Sequence, residues 1–154
     1  MTTRGVLACC VLLTAYGCES HEFEPPSREA QVQQADSMYA PALFDTVHWS
    51  GDSERLAVGN DIFGARCRRC HGYLGDGGPV EILDDTVQVP SLVEADWDYA
   101  GDAEAIRRRI FTGHPRGMPT WGVAGLTPRE IDAVAWYIDT VLRPERLRQS
   151  QPDP

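Results

Sequence analysis

The sequence predicts an all-α domain. Apolar residues recur at helical spacing in separate segments, good caps flank the later two, and no stretch alternates convincingly as a strand. The first helix is capped by Ser53 and runs through Arg66, with Leu56, Gly59, Ile62 and Phe63 on one face. It leads directly into Cys67. From Gly72 to Tyr99 the chain is rich in Gly, Asp and Pro, a composition that suits an irregular loop better than an autonomous core. Asp102 is a good N-cap for a second helix, Ala103 to Thr112, in which Ile106 and Ile110 lie four apart and Gly113 is the stop. The last helix opens on Thr127-Pro128-Arg129-Glu130, a capping box with proline at the first helical position. Ile131, Val134, Ala135, Ile138, Val141 and Leu142 form its apolar stripe, and Pro144 is expected to end it. Residues 51–148 make one domain with no internal repeat, and 149–154 a short tail.

The N-terminal third reads differently. Arg4 and the apolar and small run Gly5 to Tyr16 form an export signal over residues 1–17, too short for an ordinary membrane span. Thr14-Ala15-Tyr16-Gly17-Cys18 is similar to a bacterial lipoprotein cleavage site, at which Cys18 becomes lipidated; ordinary signal cleavage nearby is the alternative. Lipidation would account for a cysteine that is otherwise a lone thiol in an oxidising compartment. Residues 18–50 are expected to be a tether, flexible from Cys18 to Gln34. The more apolar Met38 to Trp49 then either lies across the domain's own surface or docks on a partner.

Cys67-Arg68-Arg69-Cys70-His71 carries the chemistry. Two thiols at this spacing can each add to one vinyl group of a c-type haem, and the adjoining imidazole then lies under the iron as its proximal ligand. The competing readings are a redox-active dithiol, or half of a zinc site with His71 as third ligand. One such motif occurs in the sequence, which points to one covalent haem c. Met118 is the expected sixth ligand. It stands in a Gly-Met-Pro turn between two helices, and its soft thioether would favour the ferrous state. His114 is the competitor, with a surface position or a haem propionate as its other roles. His21 and His48 fall outside the domain, as does Met38.

Electrostatics bear on partners. The chain carries a formal charge of −9, and all 14 of its basic side chains are arginine. Nucleic acid is a poor partner for such a chain. Arg66, Arg68 and Arg69 gather at the motif, while Glu81, Asp84 and Asp85 and then Glu94, Asp96, Asp98 and Asp102 flank the expected haem loop. These charges either steer a redox partner or are ordinary solvated loop charge. Of Arg107, Arg108 and Arg109, one or two at most can face the haem.

Over Ser53 to Leu142 the chain resembles the class I cytochrome c family. Gly59 and Phe63 stand eight and four residues before Cys67, and Trp136 and Tyr137 are the aromatic counterparts on the last helix. Pro90-Ser91-Leu92, the run Asp96 to Asp102 and Gly117-Met118-Pro119-Thr120-Trp121-Gly122 are similar to the haem domains of the cytochrome c subunit of cbb-type oxygen reductases. The resemblance implies helices packed around one haem, with Gly59 letting the first and last helices cross closely. It implies Pro90, rather than the nearer Pro79, as the carbonyl that orients His71. Trp97 and Trp121 would wall off the haem and reach its propionates, or simply pack in the core.

The expected function is one-electron transfer in a bacterial periplasmic or membrane-associated respiratory chain, between a redox-protein donor and acceptor, without catalysis. The alternatives are a fixed monohaem subunit of a quinol-oxidising or oxygen-reducing complex, and a haem enzyme or gas sensor whose iron lacks Met118.

Overall fold

The computed structural model describes residues 24–82 and 84–150; the export signal, Cys18 and His21 lie outside them. The helix α1, Arg28–Met38, is capped by the Ser27 side chain on the Ala30 N–H. It begins inside the stretch expected to be flexible up to Gln34. Its one deeply buried residue, Ala35, packs α1 onto α4 (Ala103–Thr112), and Asp36 pairs with Arg108 at 2.8 Å. A single small residue contacting a neighbouring helix leaves little apolar signal in the sequence, so composition alone read the segment as a tether. The chain then crosses the domain's own surface. A 3₁₀ turn at Pro41–Phe44 buries Phe44, and the Tyr39 ring meets Phe111 edge-on at 5.5 Å.

The next helix, α2 (Asp52–Ile62), starts two residues earlier than expected, with Gly51 as cap and Ser53 in its first turn. Gly59 and Phe63 are buried, whereas Leu56 is 38% exposed and lies off the packed face. A π turn, Phe63–Cys67, and the short α3, Arg68–His71, continue the same helical rod through the motif. The most extensive helix contact is between α2 and α5 (Pro128–Tyr137). A Cβ on Gly59 would stand 2.5 Å from the Ala133 carbonyl oxygen, so this crossing needs glycine.

The fold is not strictly all-α. Within the expected irregular loop, β1 (Gly78–Ile82) and β2 (Asp85–Val89) form an antiparallel hairpin, with Gly78 opposite Val89 and Ile82 opposite Asp85. Val80, Ile82, Val87 and Val89 turn to the half-buried side and the residues between them face water. That is a period of two, hidden in the sequence by its brevity and its Gly/Asp/Pro setting.

The expected caps of α4 and α5 are present: Asp102 on the Ala105 N–H, Gly113 at the stop of α4, and the full Thr127–Glu130 capping box. Pro144 does not end the last helix. A π turn at Ile138–Leu142 bonds the Arg143 N–H to the Ile138 carbonyl, and α6 continues over Arg143–Gln149 with Pro144 in its first turn, where a missing N–H costs little. Asp132, nearly buried on α5, accepts from the Trp49 indole at 2.8 Å and pairs with Arg55 at 2.7 Å and Arg107 at 3.0 Å. One carboxylate thus ties the surface segment, α2 and α4 to the last helix.

Candidate functional site

The π turn before the motif sets the phase of the site. The Arg68 N–H bonds to the Phe63 carbonyl five residues back, so the rod keeps Phe63 in the core while presenting Cys67, Cys70 and His71 to a cavity. Beyond the motif, the Gly77 N–H bonds to the His71 carbonyl at 3.0 Å and the Leu92 N–H to the Gly75 carbonyl at 2.8 Å. Gly77 has φ +69°, and a Cβ there would stand 2.4 Å from the Val89 carbonyl oxygen. The glycine therefore lets the end of β2 close over the motif and brings Pro90 to His71.

His71 is held below the ordinary histidine range by burial, with the Pro90 carbonyl pulling the other way. Its Nδ1 nevertheless lacks a well-formed hydrogen bond, so the Pro90 contact is near but loose. Cys67 and Cys70 are free thiols, and burial, aided by Cys70, pushes the Cys67 thiol up to about 12. A reactive dithiol needs the opposite shift, toward thiolate at neutral pH. Among the described residues no three His, Cys, Asp or Glu side chains converge as a metal-binding group, so the zinc reading has no fourth ligand to draw on.

Met118 reaches the same cavity from a separate turn, between α4 and α5. The His114 N–H bonds to the Met118 carbonyl at 3.0 Å and the Gly117 N–H to the His114 carbonyl at 3.1 Å, closing a tight turn. Gly113 and Gly117 both have positive φ, and a Cβ on Gly117 would stand 2.7 Å from the Ile82 side chain, so the turn sits against the hairpin. His114 also lines the cavity, but its Nδ1 accepts the Arg116 N–H at 3.1 Å. Burial, then Arg109 and Arg116, hold its ring below the ordinary range.

The cavity has a volume of about 380 Å³ and brings together all seven residues expected at the haem: Cys67, Cys70, His71, Pro90, Trp97, Met118 and Trp121. Its lining is mainly apolar, with Ile82, Val87 and Val89 contributed by the hairpin. Pro79 is not among the lining residues. A flat apolar group with two anionic arms fits this donor set: two unbridged thiols, a desolvated imidazole and a thioether lining one mainly apolar cavity, with arginines among the lining.

Sequence reasoning did not single out Tyr99 and Arg109. Both line the cavity. Arg109 donates to the Tyr99 hydroxyl from Nε at 3.2 Å and Nη2 at 2.9 Å, and to the Gly113 carbonyl from Nη1 at 3.1 Å. Its neighbours are engaged elsewhere, Arg107 with Asp132 and Arg108 with Asp36. Three consecutive arginines give no periodic signal, so only the fold assigns them. The Trp97 ring packs edge-on to Tyr99 at 5.4 Å and under the buried Arg143, 4.9 Å from its centroid. Arg143 in turn donates to the Leu92 and Glu94 carbonyls, which fixes the loop that follows Pro90.

Comparison with known proteins adds the family context. Residues 54–138 match the family described as cytochrome c oxidase, cbb3-type, subunit III. The cbb3-type cytochrome c oxidase subunit CcoP of Rhodobacter capsulatus is 34% identical over 130 residues, 75% of this chain and 42% of that protein. CcoP of Rubrivivax gelatinosus is 29% identical over 71% of this chain and 35% of its own length. Subunit FixP of Azorhizobium caulinodans is 33% identical over 59% of this chain and 29% of its own. The chain thus spans well under half the length of these relatives. No solved structure gives a significant match. No helix among the described residues is long and apolar enough to cross a membrane.

Proposed function

The chain belongs to the cbb3-type cytochrome c oxidase subunit III family and is a class I c-type cytochrome; from that premise we propose that it is a monohaem electron-transfer subunit of an oxygen-reducing respiratory complex. The family's covalent haem c supplies one iron that gains and loses a single electron. Cys67 and Cys70 would hold it through two thioethers. His71 would present Nε2 to the iron, with Nδ1 turned toward the Pro90 carbonyl. Met118 would close the other axial position, leaving no site for oxygen or small gases. Arg109 uses three of its five N–H donors on Tyr99 and Gly113, and Tyr99 keeps its own O–H, so the pair has donors left for a propionate. Trp97 and Trp121 would exclude water from the iron's surroundings, which keeps rearrangement on electron transfer small.

The observation that carries this reading is one cavity lined at once by both thiols, the imidazole and the thioether. The likeness to oxidase subunits favours a fixed subunit over a freely diffusing carrier. Gentle solubilisation of membranes from cells producing the haem-loaded chain tests it. Co-purification with an oxygen-reducing complex is expected; recovery as a free protein, with the complex fully assembled without it, would return the reading to a diffusing carrier.

The proposed location is the periplasmic side of a bacterial membrane, with a lipid on Cys18 as the anchor. In cells that lack the oxygen-reducing complex, Cys18→Ala should move the protein from the membrane to the soluble fraction. Retention of the variant on those membranes would mean that Cys18 does not carry the anchor.

A further inference from the structure

Charge around the cavity is sorted by wall. Between Gly72 and Ala105 the chain has nine carboxylates and no lysine or arginine. Between Asp61 and Asp76 it has Arg66, Arg68 and Arg69 and no carboxylate, and between Glu104 and Glu130 it again has arginines and no carboxylate. All three stretches line the cavity: the acidic one through the hairpin and Asp98, the basic ones through Arg66 with the motif and through Arg116 with Met118. The Arg66 guanidinium lies 5.9 Å from the centre of the Trp121 ring, so the two basic walls meet.

The basic walls also hold most of the cations that remain free among the described residues, Arg28 on α1 lying apart from them. Arg107, Arg108 and Arg129 are each paired with a carboxylate. Arg66, Arg68, Arg69 and Arg116 are exposed and have no ion-pair partner among the described residues. Arg66 lies three residues before Arg69 and four before Cys70 on one helical rod, so both cations flank the face that carries the second thiol.

We propose that the rim formed by Arg66, Arg69 and Arg116 is the docking face for a redox protein that presents an acidic patch, although the chain as a whole is strongly acidic. The inference rests on the haem reading above, because only a haem in this cavity gives an electron a reason to leave by this rim. Exposed charges more than about 10 Å apart are largely screened at 0.1 M salt, so the rim decides the final contact and the −9 net charge does not. The acidic hairpin abuts the Met118 turn, where Ile82 meets Gly117, and so bounds the basic rim on that side and limits where an acidic patch can sit.

Small charged oxidants read the local sign directly. The haem-loaded, reduced full chain is mixed with hexacyanoferrate(III), which takes one electron from the iron and becomes hexacyanoferrate(II). The rate should fall roughly twofold or more as salt rises from about 0.1 M, where the −9 net charge is already largely screened, to about 1 M. With the cationic tris(phenanthroline)cobalt(III), which is reduced to cobalt(II), it should rise over the same range. The double variant Arg69→Gln with Arg116→Gln should slow the reaction with hexacyanoferrate at about 0.1 M salt and flatten its salt response. Asp84→Asn with Asp85→Asn, on the acidic hairpin, should leave the sign unchanged.

A hexacyanoferrate rate that climbs with salt in the wild type overturns the docking face, and that comparison needs no variant to fold. Binding to phosphatidylglycerol vesicles that is lost in the arginine variant would give the rim to a lipid surface. A dimer that dissociates in that variant would give it to the acidic wall of a second copy. Either result overturns the proposal. A chain that acquires no covalent haem overturns the underlying reading instead.

Discussion

Two residues show how narrowly the site's frame is drawn. A methyl on Gly59 would stand 2.5 Å from the Ala133 carbonyl oxygen and 2.7 Å from the Tyr137 Cβ, so Gly59→Ala must push α2 off α5. Overpacking of this kind costs roughly 1–3 kcal/mol. The haem-loaded variant should show a correspondingly lower thermal midpoint, and an unchanged midpoint would mean that the helices can separate freely there. Asp132 is the other. Asp132→Asn leaves Arg55 and Arg107 without their counter-charge, and because these are 22% and 25% exposed the loss should be about 2–3 kcal/mol, below that of a fully buried pair. Denaturant unfolding measures it. At this scale the sequence was most legible where chemistry demands a spacing, as in Cys67, Cys70 and His71. Arg109 and Tyr99 were not legible, because their role depends on a hydrogen bond between two elements.

At the scale of elements, local signals were read well wherever a cap or a stop supplies them: Asp102 and Gly113 for α4, Thr127 and Glu130 for α5. The misreadings come from elements held by tertiary contact. The hairpin is too short to be stable alone, and its half-buried valines gain their value only against the cavity. The last helix passes Pro144 because a π turn has already broken the i→i−4 pattern. The helix α1 is the sharpest case: its Glu, Ala and Gln residues and the cap at Ser27 favour a helix, but it carries no apolar stripe to announce packing. Hydrogen exchange on the folded protein should find the amides of Gln31 to Met38 protected, as their hydrogen bonds and the packing of Ala35 require. Exchange at free-peptide rates would return the segment to the tether.

For the molecule as a whole, the structure joins a helical frame to a hairpin and a methionine turn, and all three contribute residues to one cavity. Among the described residues, some arginines serve as internal clasps, such as Arg55, Arg107 and Arg143, and others stand free at the rim beside the motif. Composition gave the net charge and could not give that division. The central claim, which belongs to the proposed function, is that His71 and Met118 would both hold the iron, so that it would pass electrons and bind nothing else. The most direct test is the optical spectrum of the oxidised, haem-loaded protein beside Met118→Ala, with the reduced forms exposed to carbon monoxide. The account predicts a weak sulfur-to-iron charge-transfer band in the far red that the variant lacks, and carbon monoxide binding near neutral pH by the variant alone. A wild type with covalent haem that lacks the band and takes up carbon monoxide readily would contradict it, and would make the open-site enzyme or sensor the reading to pursue.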